Sequence, residues 1–203
     1  MEYAIHLFNA GGVVMYPLVL FMLAACTILF ERIRMYRRID SEIQQLSSSI
    51  EAGRNANDWI ALEQAIKNND DALSQFVTPI VDSVYNFEGL ENRLHDVVGY
   101  MDERLKRGLN WLSMMVTMAP LLGLLGTVVG MIRSFAAVGG DIGAPTVITG
   151  GVSEALIATA TGLSVAIVAL AIHSWCTSKV NYDIAKLEQL LGSILDLYIR
   201  SQR

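Results

Sequence analysis

Three stretches of the chain carry no Asp, Glu, Lys or Arg: residues 3–30, 108–132 and 155–178. Each exceeds the roughly 20 apolar residues that cross the hydrocarbon of a bilayer. The pattern predicts three spanning helices, at 13–30, 108–133 and 151–176. Between the runs the periodicity changes. From Leu90 the positions Leu94, Val97, Met101, Leu105 and Gly108 keep spacings of three and four, which predicts an amphipathic helix running straight into the second span. Asp58 is placed to cap a short helix over 59–68, and a further helix over 73–87 is kinked or divided by Pro79. The first helix is expected to continue past its span and to break within Ser47–Asn57, where Gly53 and Asn55 fall. After the third span, Val180, Ile184, Leu187, Leu191, Ile194 and Tyr198 alternate at intervals of four and three, the spacing of a coiled-coil seam.

The last two apolar runs are not uniform. At about 100° per residue, Ala155, Ala158, Thr159, Gly162, Ala166, Ala169 and His173 share one side of the third span, and that side has almost no bulk. The second span has a matching side in Ala119, Gly123, Gly126, Thr127, Gly130 and Ser134. Small residues collect where another helix backbone must come close, because lipid offers no hydrophobic reason for helices to associate. Pro120 leaves a carbonyl free within the second span, which neighbours or water must satisfy. Glu154 and Thr161, seven apart, share an adjoining face of the third span. An ionisable side chain in such a helix costs on the order of 2 to 3 kcal/mol at mid-bilayer and normally faces a cavity or a partner.

Composition agrees with this division. The chain has 203 residues, 53% hydrophobic, with a mean hydropathy of +0.41. Of fifteen Lys and Arg, ten lie at 32–107 and four follow residue 178, leaving only Arg133 elsewhere. Basic residues gather on cytoplasmic flanks. That rule places the first twelve residues in the periplasm, 31–107 in the cytoplasm as a helical loop, 134–150 in the periplasm as a hairpin, and 177–203 in the cytoplasm as an amphipathic helix. The net charge of −5 comes with no separate basic patch, so nucleic acid is not an expected partner.

No catalytic or metal-binding constellation stands out. His95 has no second His or Cys at ligand spacing and is expected at the surface, and His173 is expected at a membrane interface. Cys26 and Cys176 read as apolar side chains rather than a disulfide. Leu23–Cys26 is similar to a lipidation site, but the chain opens Met1, Glu2, without the positive charge a signal peptide requires. The role of Asp141, in the turn between the second and third spans, stays open.

Two small-faced spans, a glutamate and interior hydroxyls together resemble the MotA/TolQ/ExbB family of ion-driven stator subunits, and most closely its three-span ExbB and TolQ branch. The resemblance is carried by Ala119 through Ile132 with Ser134 and Phe135, and by Glu154 through Ala160 with Gly162 and Leu163. It implies an all-α bacterial inner-membrane protein in a homo-oligomeric ring, a pentamer, with its spans extended by long cytoplasmic helices. The second and third spans would line a lumen around two copies of a single-span ExbD-like or TolR-like partner. An aspartate on that partner would take up and release the proton, and energy would pass to a TonB-like or TolA-like protein for outer-membrane transport or envelope maintenance.

By position, Thr127 and Thr159 match the family's lumen threonines and Glu154 its third-span glutamate, with Thr161 added to the pathway. Ala119, Pro120, Gly123, Gly126, Gly130, Ala155, Ala158, Gly162 and Ala166 would pack the helices. No enzyme activity and no cofactor are implied; the coupling ion is expected to be H+. The chain departs from the pattern in having no proline in Thr149–Ser153, and in placing Thr161 and Ser164 where ExbB and TolQ commonly have apolar groups. Extra oxygens suit a dehydrated Na+, which stays the alternative ion. A small-molecule transporter would show repeated halves around a midplane site, and no repeat is visible. A structural scaffold without motor activity is the other rival.

Overall fold

A computed structural model of the chain describes residues 11–56, 58–69, 71–82, 87–138 and 145–202. Six α-helices account for the secondary structure of these residues: α1 Met15–Ala56, α2 Trp59–Lys67, α3 Ala72–Asp82, α4 Phe87–Lys106, α5 Leu109–Val138 and α6 Pro145–Ser201. Residues 1–10 and the Gly139–Ala144 stretch, where the N-terminal segment and the turn with Asp141 were expected, lie outside the described residues.

The chain divides into two units, one of residues 1–30 and 108–175, the other of 31–107 and 176–203. The first contains most of the apolar sequence. Two helical runs, 87–136 and 149–201, are long and apolar enough to cross a membrane. The expected first span, 13–30, overlaps the opening part of α1.

Several boundaries differ from the periodicity reading. Within Ser47–Asn57, where a break was expected, α1 stays helical as far as Ala56 and ends there. Gly53 there serves close packing instead: a Cβ at that position would come within 2.6 Å of the Leu62 Cβ. The α1 and α2 backbones are tied again where the Ser49 hydroxyl reaches the carbonyls of Gln45 and Ala65 and accepts from Asn69 Nδ2 at 2.7 Å. Asp58 caps α2 by accepting from the Ile60 amide at 3.0 Å. Pro79 lies inside α3 without ending it, and residues 83–86, over which that helix was expected to continue, lie outside the described residues. The amphipathic helix α4 does not run unbroken into α5: Gly108 stands at φ +86° between them, and Trp111 donates back to its carbonyl at 3.2 Å. Helix α6, in contrast, has no interruption between the expected third span and the expected tail.

Gly108 is conformationally required, since an L side chain is crowded at positive φ. Gly99, in α4, has no atom near where a Cβ would go. Gly108→Ala should therefore destabilise the detergent-solubilised chain by about 1 kcal/mol or more, seen as a lower thermal unfolding midpoint. Gly99→Ala should raise it, because alanine is favoured over glycine in a helix interior by ~1 kcal/mol. Equal midpoints for the two variants would remove the case for a strained turn.

In the second unit, α4 buries Leu90, Leu94, Val97, Val98, Met101 and Leu105, and the last part of α6 buries Cys176, Val180, Leu187, Leu191, Ile194 and Leu197. Trp59 and Tyr198 meet edge to face with centroids 5.3 Å apart.

Candidate functional site

The site is the contact between α5 and the first half of α6, in the first unit. Glycine and alanine dominate both surfaces, so the two backbones approach until main-chain atoms touch side chains. A Cβ at Gly162 would lie 2.6 Å from the Ala119 carbonyl oxygen and 3.0 Å from the Gly123 Cα. One at Gly123 would lie 3.1 Å from the Thr159 Cα, one at Gly126 2.5 Å from the Ala158 Cβ, and one at Gly130 3.1 Å from the Gly151 carbonyl. Ala119, Ala155, Ala158, Ala166 and Ala169 are buried here. Pro120, beside Ala119, is half-buried and does not interrupt α5. The start of α1 closes one side, where Val14 and Leu18 pack with Ala119, Val165 and Ala166, and Phe21, Met22 and Leu122 lie against them.

This geometry refines one expectation. The two small faces, expected to pack helices, are occupied by each other within a single chain, so the glycines and alanines themselves do not face a lumen. Side chains on the flanks of the seam are what a neighbour can meet.

The four candidate pathway residues fall on two flanks. At 100° per residue, Thr127 on α5 and Thr159 on α6 lie on the same side of the seam. The Thr159 hydroxyl donates across it to the Gly123 carbonyl at 3.1 Å, while Thr127 donates to Leu124 of its own helix at 2.6 Å. Glu154 and Thr161 lie on the opposite side, the one covered by α1. Thr161 donates to Ile157 at 2.8 Å, and the Glu154 carboxylate meets the backbone of Gly12 so closely that a Cβ there would collide with Oε1.

Glu154 also has a cationic partner. Arg133 Nη1, from α5, lies 3.2 Å from its Oε1. Sequence reading noted Arg133 only as the single basic residue away from the basic flanks. Its isolation was the available signal, because a lone cation beside an apolar helix needs an anion. The Ser164 hydroxyl, like those of Thr127 and Thr161, donates to its own helix, to Ala160 at 2.8 Å.

A hydroxyl has one hydrogen and two lone pairs. With the hydrogens committed to carbonyls, Thr127, Thr159 and Thr161 present acceptors to whatever lies beside them. Among the described residues, no group of three or more His, Cys, Asp or Glu could hold a metal ion. His95 is exposed, His173 half-buried, and both cysteines are free thiols.

A helical hairpin closed by glycine-to-backbone contacts, with large apolar residues such as Leu121, Leu124, Leu125, Leu156, Leu163 and Ile167 left exposed, defines a membrane protein whose spans pack through small residues. The family follows from comparison. The model of the MotA/TolQ/ExbB proton channel family matches residues 61–189, and the chain belongs to that family. A Synechocystis protein named ExbB-like 1 is 34% identical over 202 residues, 95% of this chain and 78% of its own. A second from Synechocystis, named ExbB-like 3, is 30% identical over 94% of this chain and 93% of its own. A Methanothermobacter thermautotrophicus protein named as an ExbB homolog is 26% identical over 91% of this chain, and the match spans 66% of that protein.

Proposed function

We propose that the protein is the ring-forming, inner-membrane subunit of an ExbB/TolQ-type motor that couples proton flow to movement of a partner. In this reading five copies surround two single-span ExbD-like or TolR-like helices, and a TonB-like or TolA-like protein receives the output. Three spans, with a periplasmic N-terminus and a cytoplasmic C-terminus, give every copy the same orientation. The observation that carries it is the division of the seam. The glycine faces close each hairpin on itself, which leaves the flank with Thr127 and Thr159 for contact with another helix.

The hydrogen-bonding state of those threonines favours protons over sodium. A protonated carboxyl on a partner helix can donate to the free lone pairs of Thr159. A turn of the same hydroxyl about its Cβ–Oγ1 bond then offers its hydrogen to the carboxylate that remains after the proton leaves. Sodium would need several oxygens gathered at one point, whereas Thr161 and Ser164 each bond back to their own helix and Glu154 is paired with Arg133.

The test is proton flux in liposomes containing the protein with and without its single-span partner. Thr159→Val preserves shape and removes only the hydroxyl. It should cut partner-dependent flux by at least about tenfold, the effect of ~1.4 kcal/mol on a barrier, with oligomer mass unchanged. Unaltered flux in this variant, or flux that never depends on the partner, would leave a scaffold as the better description.

A further inference from the structure

The second unit contains an ionisable cluster that the proposed motor does not use. Asp183, on α6, is wholly buried, at 0% exposure. Its Oδ1 accepts from Lys179 Nζ at 2.8 Å, but its Oδ2 is buried with no hydrogen-bond partner. The same ammonium reaches Asp40 Oδ1, on α1, also at 2.8 Å. The two carboxylates are therefore no further apart than twice that distance, joined through one cation. Tyr36, one turn before Asp40, is buried on the same side of α1 and its hydroxyl lies against the Cys176 thiol.

With both carboxylates ionised, the cluster would hold two negative charges against one positive, and the charge on wholly buried Asp183 would have one oxygen without a partner while Asp40 stays half-exposed. Burial of an unpaired charge is costly enough that such groups neutralise instead, and two carboxylates at one site cannot both ionise easily. A proton is the smallest ligand that removes the excess charge, and Asp40 is the acceptor toward which a protonated Asp183 can donate. We propose that Asp40, Lys179 and Asp183 form a proton-binding clasp between α1 and α6, in which one proton is held by the two carboxyl groups and Asp183 is its principal carrier. Loss of the proton places a second negative charge inside the clasp and drives α1 and α6 apart.

The ionisable groups acting on Asp183 are Lys179 on its own helix and Asp40 and Tyr36 on α1. Burial pushes the Asp183 carboxyl above the usual carboxylate range, the Lys179 ammonium opposes this, and Asp40 adds to it. For Lys179, burial pulls the ammonium down, but its bonds to Asp183 and Asp40 outweigh that and leave it above the ordinary lysine value. Burial likewise raises the Tyr36 phenol, so it stays neutral. Because the folded-state value of Asp183 is raised, its stabilising contribution is complete below the range of an unfolded aspartate, about pH 4. That contribution is lost as pH rises through the raised value. The proposal does not depend on the motor reading, since it concerns contacts within one chain.

Infrared difference spectroscopy of the full chain in liposomes, with aspartate carboxyls isotopically labelled, reads the proton directly. A protonated-carboxyl band should titrate at a pH above that of exposed aspartates and vanish in Asp183→Asn. Asp40→Asn, which changes a half-exposed group and should leave the fold intact, should move the midpoint down. Lys179→Gln should move it up. These opposite displacements are not expected of residues that merely pack. Absence of the band, its survival in Asp183→Asn, an upward or null displacement in Asp40→Asn, or a midpoint that follows sodium concentration would each overturn the proposal.

Discussion

Replacing Gly162 by alanine is expected to destabilise the chain by about 1–3 kcal/mol, the range for overpacked interiors, and to abolish proton flux. The size follows from what the new methyl group would meet. At 2.6 Å from the Ala119 carbonyl oxygen and 3.0 Å from the Gly123 Cα it collides with main chain, which no rotamer change relieves. Either α5 and α6 separate or one of them bends, and either loosens every contact from Ala119 to Gly130. Gly192, also on α6, has open space around it, so Gly192→Ala should hold or raise the thermal unfolding midpoint in detergent. Gly126→Ala is intermediate and can be repaired. Its obstacle is the Ala158 Cβ at 2.5 Å, so Gly126→Ala with Ala158→Gly should recover most of what the single change loses. Such recovery has no counterpart at Gly162. Midpoints for Gly162→Ala and Gly192→Ala within experimental error of each other would mean that the seam is not the contact that holds the hairpin.

That the seam's residues stand out in the sequence, while its orientation does not, has a physical reason. Helical periodicity tells which side of a helix is small, and small sides in a membrane meet something. It does not say whether that something is the neighbouring helix of the same chain or a helix of another. The glycines of α5 lie opposite Ala155, Ala158 and Gly162, so the contact is satisfied internally and the hydroxyl flank is left over. That α1 stays helical past Gly53, to the far end of the window where a break was expected, has a related reason. Glycine and serine lower helix propensity, but Gly53 gives room to Leu62 and Ser49 ties α1 to α2. Tertiary packing outweighs a local penalty of ~1 kcal/mol.

Asp183 shows the opposite difficulty. The heptad reading of the tail chose Val180, Ile184 and Leu187 because they are apolar, yet Asp183 is wholly buried while Ile184 is only half so. The inward stripe runs Val180, Asp183, Leu187, Leu191, Ile194. Its signal was present in the Lys179–Asp183 spacing of four, which any helix brings together. What the spacing cannot reveal is Asp40, 139 positions from Lys179 and joined to it only by the fold.

Exchanging the two charges of the Arg133–Glu154 pair is expected to separate its structural role from its role in transport. The pair is partly exposed in the single chain, with side-chain exposures of 52% and 26%, and the nitrogen–oxygen distance is 3.2 Å. Pairs so exposed contribute about 0–1 kcal/mol, so Arg133→Ala and Glu154→Ala should each shift the detergent unfolding midpoint only slightly. Their effect on proton flux should be far larger, at least about tenfold. Without Arg133 the carboxylate remains beside an apolar helix, against Gly12, with no cation opposite it. Without Glu154 an unpaired guanidinium faces the same place and repels an approaching cation. Arg133→Glu combined with Glu154→Arg restores attraction between α5 and α6, so the midpoint should return to that of the parent. The carboxylate then projects from α5 instead of α6, and flux should stay low. If the exchanged pair conducts as well as the parent, the position of Glu154 is immaterial, and it serves only as a strut between the two helices.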